Sequence, residues 1–423
     1  MTRLLIPLFA CLLAVASSNA AEPALRTLTL EDALKTAQSR HPQMRAVRAQ
    51  TEASSARVSE SKSALLPQVG ASGSYMYGAG RAAPGSLAGS FYRFGLSASE
   101  LVYDFGQTTG KWNAAKATLQ SVEAQERNAS VQLGFGLRSA YFTAAAARAL
   151  VKVAEENLRN QDAHLRQIQG FVEAGTRPEI DLAQARTDRA NAKVQLINAQ
   201  VAYDTDKALL NQAMGVESPA DWEVTEAPSQ PLVGEDANAD DLMAVAIKSR
   251  PDLLSLARQI EAQELTTGSI QGAYAPAFTA SAGASELGTA LDDLRWGAQA
   301  GLSLNWQIFG GGITRAQVLE SRANTAALRA QYELQRQQVR TDVEQARLGV
   351  RAAKAAIEAA HEATENARIR LTLAEGRYQA GVGNVIELGD AQLALTTAAA
   401  QEVQAIFNLA SARAKLLQAF GQP

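Results

Sequence analysis

Cysteine is almost absent, since the 423-residue chain has one, Cys11, within an apolar N-terminal run. Arg3 precedes that run and Ser18-Asn19-Ala20 follows it, which is typical of a secretory signal peptide and its cleavage site. We expect residues 1–20 to be removed, so the mature chain has no disulfide, no thiol catalysis and no cysteine-ligated metal. Lipidation of Cys11 is a weaker alternative because bulky Phe9 fits a lipobox poorly.

The chain also has little excess charge, few aromatic side chains and few long apolar runs. The formal net charge is −3 and aromatic residues make up 6% of the chain. A slightly acidic balance argues against a nucleic-acid partner. Past residue 21 no run of roughly 18 uncharged apolar residues occurs, so we expect no membrane-spanning helix. The remaining options are a soluble periplasmic protein and a membrane protein built from strands.

Patterns for catalysis and metal binding are missing too. No nucleophile has a base at a recognisable spacing, and the three histidines occupy unrelated places, at His41, His164 and His361. Glu362 and Glu365 lie near His361, but a solvated helix face explains this group better than a metal site. Gly310-Gly311-Gly312 lacks the Lys-Ser/Thr of a phosphate loop and is interpreted as a flexible joint. We predict no enzyme, no cofactor and no resident metal.

The chain is rich in internal repetition, with an offset of about 206 residues between matching segments. Four landmarks recur in one order: Ser39-Arg40-His41-Pro42 with Lys248-Ser249-Arg250-Pro251, Leu66-Pro67 with Ala275-Pro276, Phe105-Gly106 with Phe309-Gly310, and Ala174-Gly175 with Ala380-Gly381. They predict a first repeat over residues 21–214 and a second over residues 240–423. Pro219, Pro228 and Pro231 indicate a linker over residues 215–239.

Each repeat contains the same predicted elements. The first has a helix over 30–64, two strands at about 66–103, a long helix over 107–174, a turn at 175–178 and a helix to 214. The second has a helix over 240–271, strands at about 275–309, a long helix over 313–380, a turn at 381–384 and a helix over 385–420. In each repeat two short helices laid end to end match the long one, at about 100 Å for a rise of ~1.5 Å per residue.

Apolar residues repeat along both long helices at alternating spacings of four and three. We call these positions the heptad seam; in the second repeat they are Val339, Val343, Ala346, Val350, Ala353, Ile357, Ala360, Thr364, Ala367, Leu371, Ala374 and Tyr378. In the first repeat they are Leu133, Leu137, Ala140, Ala144, Ala147, Val151, Ala154, Leu158, Gln161, Leu165, Ile168 and Val172. Such a pattern predicts coiled-coil packing.

The segments between the helices alternate apolar and polar residues, which is typical of strands with one lipid-facing side. Trp296 and Trp306 share one apolar face, about 33 Å apart along a strand at ~3.3 Å per residue, as in two aromatic girdles. A soluble half-buried sheet is the alternative, but no residues remain to cover it. Four strands cannot close a barrel, whereas three chains supply twelve and leave a lumen. We therefore expect a homotrimer.

The order of these features resembles the TolC family of outer-membrane efflux proteins. The resemblance rests on Pro67 and Pro276, Tyr103-Asp104-Phe105-Gly106, Ile308-Phe309-Gly310-Gly311 and Tyr378-Gln379-Ala380-Gly381. It implies a mainly α fold with a small β part, in which duplicated coiled-coil helices form an α-barrel and each chain adds four strands to a trimeric twelve-stranded transmembrane β-barrel. It also implies outer-membrane lipid around the strands and docking to a periplasmic adaptor and an inner-membrane transporter.

The resemblance further implies a periplasmic constriction at Glu387 and Asp390, matched in the first repeat by Asp181. Tyr378 matches a tyrosine that holds the tip shut, whereas Gly383 stands where well-known members have an arginine. Arg177 is a candidate substitute through a salt bridge to Asp181. Tip gating and adaptor docking are expected at Gly175, Thr176, Arg177, Tyr378, Gly381, Val382 and Gly383.

The function expected is a passive outer-membrane channel of a tripartite efflux pump or a type I secretion system. A periplasmic coiled-coil adaptor or scaffold is the alternative, although an adaptor normally has one helical hairpin and a separate β-rich domain. Drug, metal and protein cargo all remain open.

Overall fold

The computed structural model describes residues 26–78, 89–225, 230–232 and 234–423. The predicted signal peptide at residues 1–20 lies outside them. Within the described part, the elements in chain order are β1 (Arg26–Leu28), α1 (Leu30–Arg40), α2 (Pro42–Ser63), β2 (Gln68–Gly78), β3 (Gly89–Tyr103), α3 (Gln107–Glu173), α4 (Glu179–Met214), β4 (Trp222–Val224), α5 (Ala239–Ser249), α6 (Pro251–Gly272), β5 (Ala277–Gly288), β6 (Arg295–Asn305), α7 (Ile313–Gln379) and α8 (Val385–Ala419). No helix among these is both long and apolar enough to cross a membrane.

The first helix of each repeat is broken, which corrects the prediction of one continuous helix over 30–64 and another over 240–271. His41 and Arg250 are extended, with ψ of 128° and 120°, and Pro42 and Pro251 begin the following helices. A proline has no amide hydrogen to donate and pushes the preceding residue out of the helical region. Both prolines therefore end one helix and start the next.

The two long helices have different surroundings despite their matching lengths. α3 packs against α2 and α6 over one part of its length and against α4 and α8 over the rest, whereas α7 packs against α5, α6 and α8. In α7 the heptad seam is buried except at Ile357 and Ala360, which are half-buried. α3 also buries residues off its seam, among them Tyr141 and His164. The coiled-coil prediction is confirmed, and α3 is the helix at the centre of the chain.

The four longer strands form one antiparallel sheet in the order β2-β3-β5-β6. β3 and β5 pair along most of their length and so join the two repeats. β2 and β6 are the edge strands, and every residue in both is exposed in the single chain. Their outer backbone groups have no partner strand among the described residues.

Each strand pair leads into its long helix through two residues with left-handed backbone. These are Phe105 and Gly106, with φ of 53° and 88°, and Gly311 and Gly312, with φ of 65° and 83°. The shared conformation matches Phe105-Gly106 to Gly311-Gly312, two residues later than the sequence landmark at Phe309-Gly310. The joint predicted at 310–312 therefore contains a left-handed turn at Gly311 and Gly312, because glycine adopts positive φ without steric cost.

The predicted linker contains a strand that the proline-rich composition concealed. β4 pairs in parallel with β1, which joins the start of the first repeat to the segment between repeats. The hydroxyl of Tyr141 on α3 lies 3.2 Å from the Leu28 carbonyl and 2.9 Å from the Thr225 carbonyl, beside both strands. Arg148 on α3 also donates to the Val224 carbonyl and to the Glu223 carboxylate.

The end of the same linker is held by a buried ion pair. Glu235 is 4% exposed and accepts from Nε and Nη2 of Arg413 on α8 at 2.8 and 2.9 Å. Nζ of Lys354 on α7 lies 2.7 Å from the same carboxylate. The hydrogen bond from Arg413 is the main cause that lowers the pKa of Glu235 to about 2. The linker is therefore fastened to both helices of the α7–α8 hairpin.

We expect Glu235→Gln to lower the midpoint of thermal unfolding of the purified protein. The free energy of unfolding should fall by about 3 to 5 kcal/mol, because the substitution removes one charge of a buried ion pair. The pKa of Glu235 lies below its ordinary value of 4.5, so the stabilisation is fully present above that pH and is lost as the pH falls toward 2. Glu235→Gln should lack this part of the acid destabilisation.

Asp236→Asn is the matched control. Its side chain is 73% exposed and also contacts Lys354, at 2.8 Å. An exposed pair is worth about 0 to 1 kcal/mol, so this variant should unfold close to the parent protein. Equal midpoints of thermal unfolding for Glu235→Gln and Asp236→Asn would show that the buried ion pair stabilises the protein no more than the exposed one does.

Candidate functional site

The turns that end the two long helices have the same backbone geometry. In the first turn the Gly175 amide donates to the Val172 carbonyl and the Thr176 amide to the Phe171 carbonyl, both at 2.9 Å. The second turn repeats this with the amides of Gly381 and Val382, both at 3.1 Å. The two glycines have φ of 70° and 78°. These are glycine caps, and they satisfy the last carbonyls of both long helices.

The two turns pack into one unit, which we call the tip cluster, around the side chain of Tyr378. This tyrosine is 1% exposed and belongs to a core with Ile168 and Leu388. Its ring centre lies 5.7 Å from that of His164 and 6.4 Å from that of Phe171, both on α3. The last turn of α7 is therefore packed against the last turns of α3.

Arg177 joins the first turn to Tyr378. Its guanidinium carbon lies 4.4 Å from the centre of the tyrosine ring, and Nη2 donates to the Tyr378 carbonyl at 2.9 Å. The expected salt bridge to Asp181 is not among the ion pairs of the described residues. Arg177 instead contributes a hydrogen bond and a cation–π contact. The cation–π contact stabilises the tip by about 0.5 to 2 kcal/mol.

Asp181 lies on the other side of the tyrosine, in the first turn of α4. It is 8% exposed, and Oδ2 is 3.5 Å from the Tyr378 hydroxyl. Burial, followed by the nearby Asp181 carboxylate, raises the pKa of Tyr378. The amino-terminal end of α4 favours a carboxylate at this position because the helix dipole is positive there.

Gly383 is required by the close approach of the chain to itself. A Cβ at this position would lie 2.9 Å from the Tyr378 nitrogen and 3.0 Å from the Arg377 carbonyl carbon. Its amide also donates to the Arg377 carbonyl at 2.9 Å. An arginine cannot be accommodated here unless the turn shifts, so the cation that contacts Tyr378 comes from Arg177 on the other turn.

Glu387 and Asp390 lie in the first turns of α8 but have different partners. Asn384 caps this helix by accepting from the Glu387 amide at 2.7 Å. The Glu387 carboxylate is 3.2 Å from Nε of Arg377, a partner that the sequence did not indicate. Asp390 is exposed, has no ion pair within the described residues and faces a groove beside α4. The charge of Glu387 is therefore offset by Arg377, whereas that of Asp390 is not offset by any ion pair of the described residues.

The two tryptophans expected in aromatic girdles are both exposed in the single chain, at 79% for Trp296 and 51% for Trp306. Trp296 lies on β6. Trp306 follows the last residue of that strand, Asn305, and donates to the Tyr274 carbonyl at 3.0 Å. The predicted strand therefore ends earlier than expected, and the girdles remain a prediction.

The described residues contain no group of three or more His, Cys, Asp or Glu side chains that could hold a metal ion. Nδ1 of His361 lies 2.8 Å from the Glu402 carboxylate of α8, a contact across the α7–α8 hairpin. That contact raises the pKa of His361.

Two long helical hairpins with a packed tip at one end and strand hairpins at the other define a channel-tunnel fold. Residues 33–216 and 242–422 match the family model for the outer membrane efflux protein. The chain belongs to the outer membrane efflux protein family and is an outer-membrane channel component. The predicted resemblance, fold class and location are thereby confirmed. Family and fold are those of a channel protein rather than of an adaptor or an enzyme.

Individual relatives are distant but match over most of the chain. The probable efflux pump outer membrane protein SepC of Pseudomonas putida is 26% identical over 339 residues, which are 78% of this chain and 69% of SepC. The outer membrane efflux protein BepC of Brucella suis is 25% identical over 315 residues, which are 72% of this chain and 66% of BepC.

Solved structures share the fold at lower identity. The outer-membrane channel OprN superposes with a TM-score of 0.82 at 20% identity, over 93% of this chain and 90% of OprN. The outer membrane protein VceC from Vibrio cholerae superposes with a TM-score of 0.80 at 19% identity, over 93% of this chain and 96% of VceC.

We expect Arg177→Ala to increase hydrogen exchange of the amides in both turns of the tip cluster. Losing a cation–π contact of about 0.5 to 2 kcal/mol should raise the opening equilibrium roughly 2- to 30-fold. Exchange measured by mass spectrometry on peptides that cover residues 171–178 and 376–384 tests this.

Arg186→Ala is the control, because Arg186 is an exposed arginine of the same helix hairpin. It should leave exchange in both turns unchanged. Faster exchange in the first turn alone would show that Arg177 stabilises its own turn without linking the two.

Proposed function

We propose that three copies of this chain assemble into a duct that carries small molecules from the periplasmic side to the exterior. The single observation that supports this most is the pair of unpaired edges, β2 and β6, on an exposed four-stranded sheet. Unpaired backbone groups in lipid cost several kcal/mol each, so the edges must be paired by neighbouring chains. Three chains supply twelve strands, enough to leave an aqueous lumen.

The helices extend this duct away from the membrane. α3 and α7 are each 67 residues long, or about 100 Å at ~1.5 Å per residue. The tip cluster then lies at the end far from the strands, where we place the docking site for a periplasmic adaptor and its inner-membrane transporter. SepC and BepC are named as efflux proteins, which favours small molecules over secreted proteins as the cargo of this chain.

We place the narrow part of the duct at Asp390 and Glu387, with Asp181 behind Tyr378 in the tip cluster. The structure supports unequal roles for the two carboxylates of α8. Arg377 offsets the charge of Glu387, whereas Asp390 is exposed and free of any cation in the described residues. Three Asp390 side chains around a lumen then supply most of the negative potential that selects cations.

We expect Asp390→Asn to reduce the cation-over-anion permeability ratio at least about twofold, and Glu387→Gln to reduce it less, because Asp390 carries the unbalanced charge. Reversal potentials of single channels in planar bilayers under a salt gradient measure this ratio.

Glu362→Gln, an exposed carboxylate of α7, is the control with the same charge change. It should leave the ratio unchanged. Selectivity that is equal in the parent, Asp390→Asn and Glu387→Gln would place the constriction elsewhere.

Cysteine crosslinking tests whether the tip cluster is the end that docks to the adaptor. The predicted mature chain has no cysteine of its own, so every crosslink comes from the introduced thiol. Thr176→Cys and Val382→Cys place thiols on the two turns, and Val382 is 70% exposed. Both should crosslink to the cognate adaptor in cells.

Leu287→Cys, near the end of β5, is the control at the opposite end of the molecule. Crosslinking at Leu287 with none at Thr176 or Val382 would reverse the orientation proposed here.

A further inference from the structure

A polar groove runs between α4 and α8 above the central helix α3. Its volume is about 350 Å³, within the lower part of the range seen for small-molecule sites. We call it the carboxamide groove after five of the side chains that line it, Asn157, Gln161, Gln184, Asn191 and Gln195.

The regular spacing of these residues forms the groove. Gln184, Asp188, Asn191 and Gln195 follow one another at four, three and four residues along α4, so they share one helix face. Ile386, Gly389 and Leu393 follow one another at three and four residues on α8, so they also share one helix face. One continuous wall therefore comes from each helix, with α3 as the floor.

Hydrogen bonds to the floor hold both walls in place. Nδ2 of Asn157 on α3 donates to the Gln195 carboxamide of α4 at 3.2 Å. Nε2 of Gln161 on α3 donates to the Gln392 carboxamide of α8 at 2.9 Å. The groove is thus an ordered feature of the fold.

Gln161 supplies an independent sign that the groove binds something polar. Its side chain lines the groove and the residue is 8% exposed, yet its carboxamide oxygen Oε1 is buried without any hydrogen-bond partner. A buried acceptor left unpaired costs about 1 to 3 kcal/mol. A ligand donor that reaches this oxygen from the groove offsets that cost.

The charges of the groove select the kind of donor. Asp188 and Asp390 carry negative charge on opposite walls, and no lysine or arginine is among the lining residues. Gln184 donates to one Asp188 oxygen at 2.9 Å, which leaves the other oxygen of that carboxylate available. The groove combines two carboxylates with several amide oxygens, which suits a ligand rich in N–H donors and positive charge.

The aliphatic side chains of the groove suit the carbon chain of such a ligand. Val385, Ile386 and Leu393 line the same α8 wall of the groove as Asp390. They suit the methylene groups between the charged nitrogens of an organic amine, whereas a hydrated metal ion gains nothing from them.

We propose that the carboxamide groove is a binding site for small organic amines with two or more ammonium groups. Asp188 and Asp390 bind the ammonium groups from opposite walls, Gln161 and Asn191 accept further hydrogen bonds, and the aliphatic residues of α8 contact the carbon chain. The position of the site in the transport route rests on the proposed function, which places Asp390 at the lumen. The binding itself does not depend on that placement.

Spermidine is the probe, measured by isothermal titration calorimetry on the purified full-length protein in detergent at low salt. Asp188→Asn should weaken spermidine binding on the order of five- to tenfold, the effect of losing one charge-assisted hydrogen bond in a partly exposed site. Asn191→Leu, which changes no charge, should weaken it about threefold through the loss of one neutral acceptor.

Asp204→Asn is the matched control, since Asp204 is a carboxylate of the same helix, 73% exposed and outside the groove. It should bind spermidine as the parent does. Equal affinity for Asp188→Asn and Asp204→Asn would overturn the site, as would undetectable binding to the folded parent protein.

A second measurement separates this site from the duct itself. In planar bilayers, spermidine should block the parent channel and block Asp188→Asn more weakly. Block that is equal in both channels would overturn a site on the transport route. The proposed function is tested separately by the ion selectivity of Asp390→Asn without spermidine, so either idea can fail while the other stands.

Discussion

The structure depends on one constraint of length. Each 67-residue helix must be covered along its whole extent, and no single neighbour does this. α3 is covered by α2 followed by α4 on one side and by α6 followed by α8 on the other. Wherever two short helices meet end to end, their last carbonyls and first amides need other partners. The short strands β1 and β4 and the ion pair of Glu235 with Arg413 lie beside such a junction and fasten it.

The same constraint brings the two tips together. Because both hairpins extend equally far, their turns end at the same level and their last side chains can pack into one core around Tyr378. Arg177 from one turn then contacts the ring and carbonyl of Tyr378 on the other. Gly383 makes room for this arrangement, since any larger residue collides with the backbone at Tyr378. The cation that contacts Tyr378 of the second hairpin therefore comes from the turn of the first.

Much of the architecture was predictable from the sequence because it depends on periodic burial. The heptad seam of α7 is buried as its spacing predicts, and both turns begin at the glycines that end the long helical pattern. The prolines at 42 and 251 also carried the signal for helix breaks, although the surrounding helical pattern concealed it. β4 was missed because a three-residue strand has too few alternating residues to stand out from a proline-rich linker.

By itself, the sequence determined the duplication, the helix lengths, the four strands and the family, since these follow from spacing along one chain. Only the tertiary structure decided which of two equally long helices is central, because that depends on neighbours from both repeats. It alone paired Arg177 with Tyr378, Arg377 with Glu387 and Glu235 with Arg413. These contacts join residues from different helices and turns, and no periodicity along the chain records which of them meet in space.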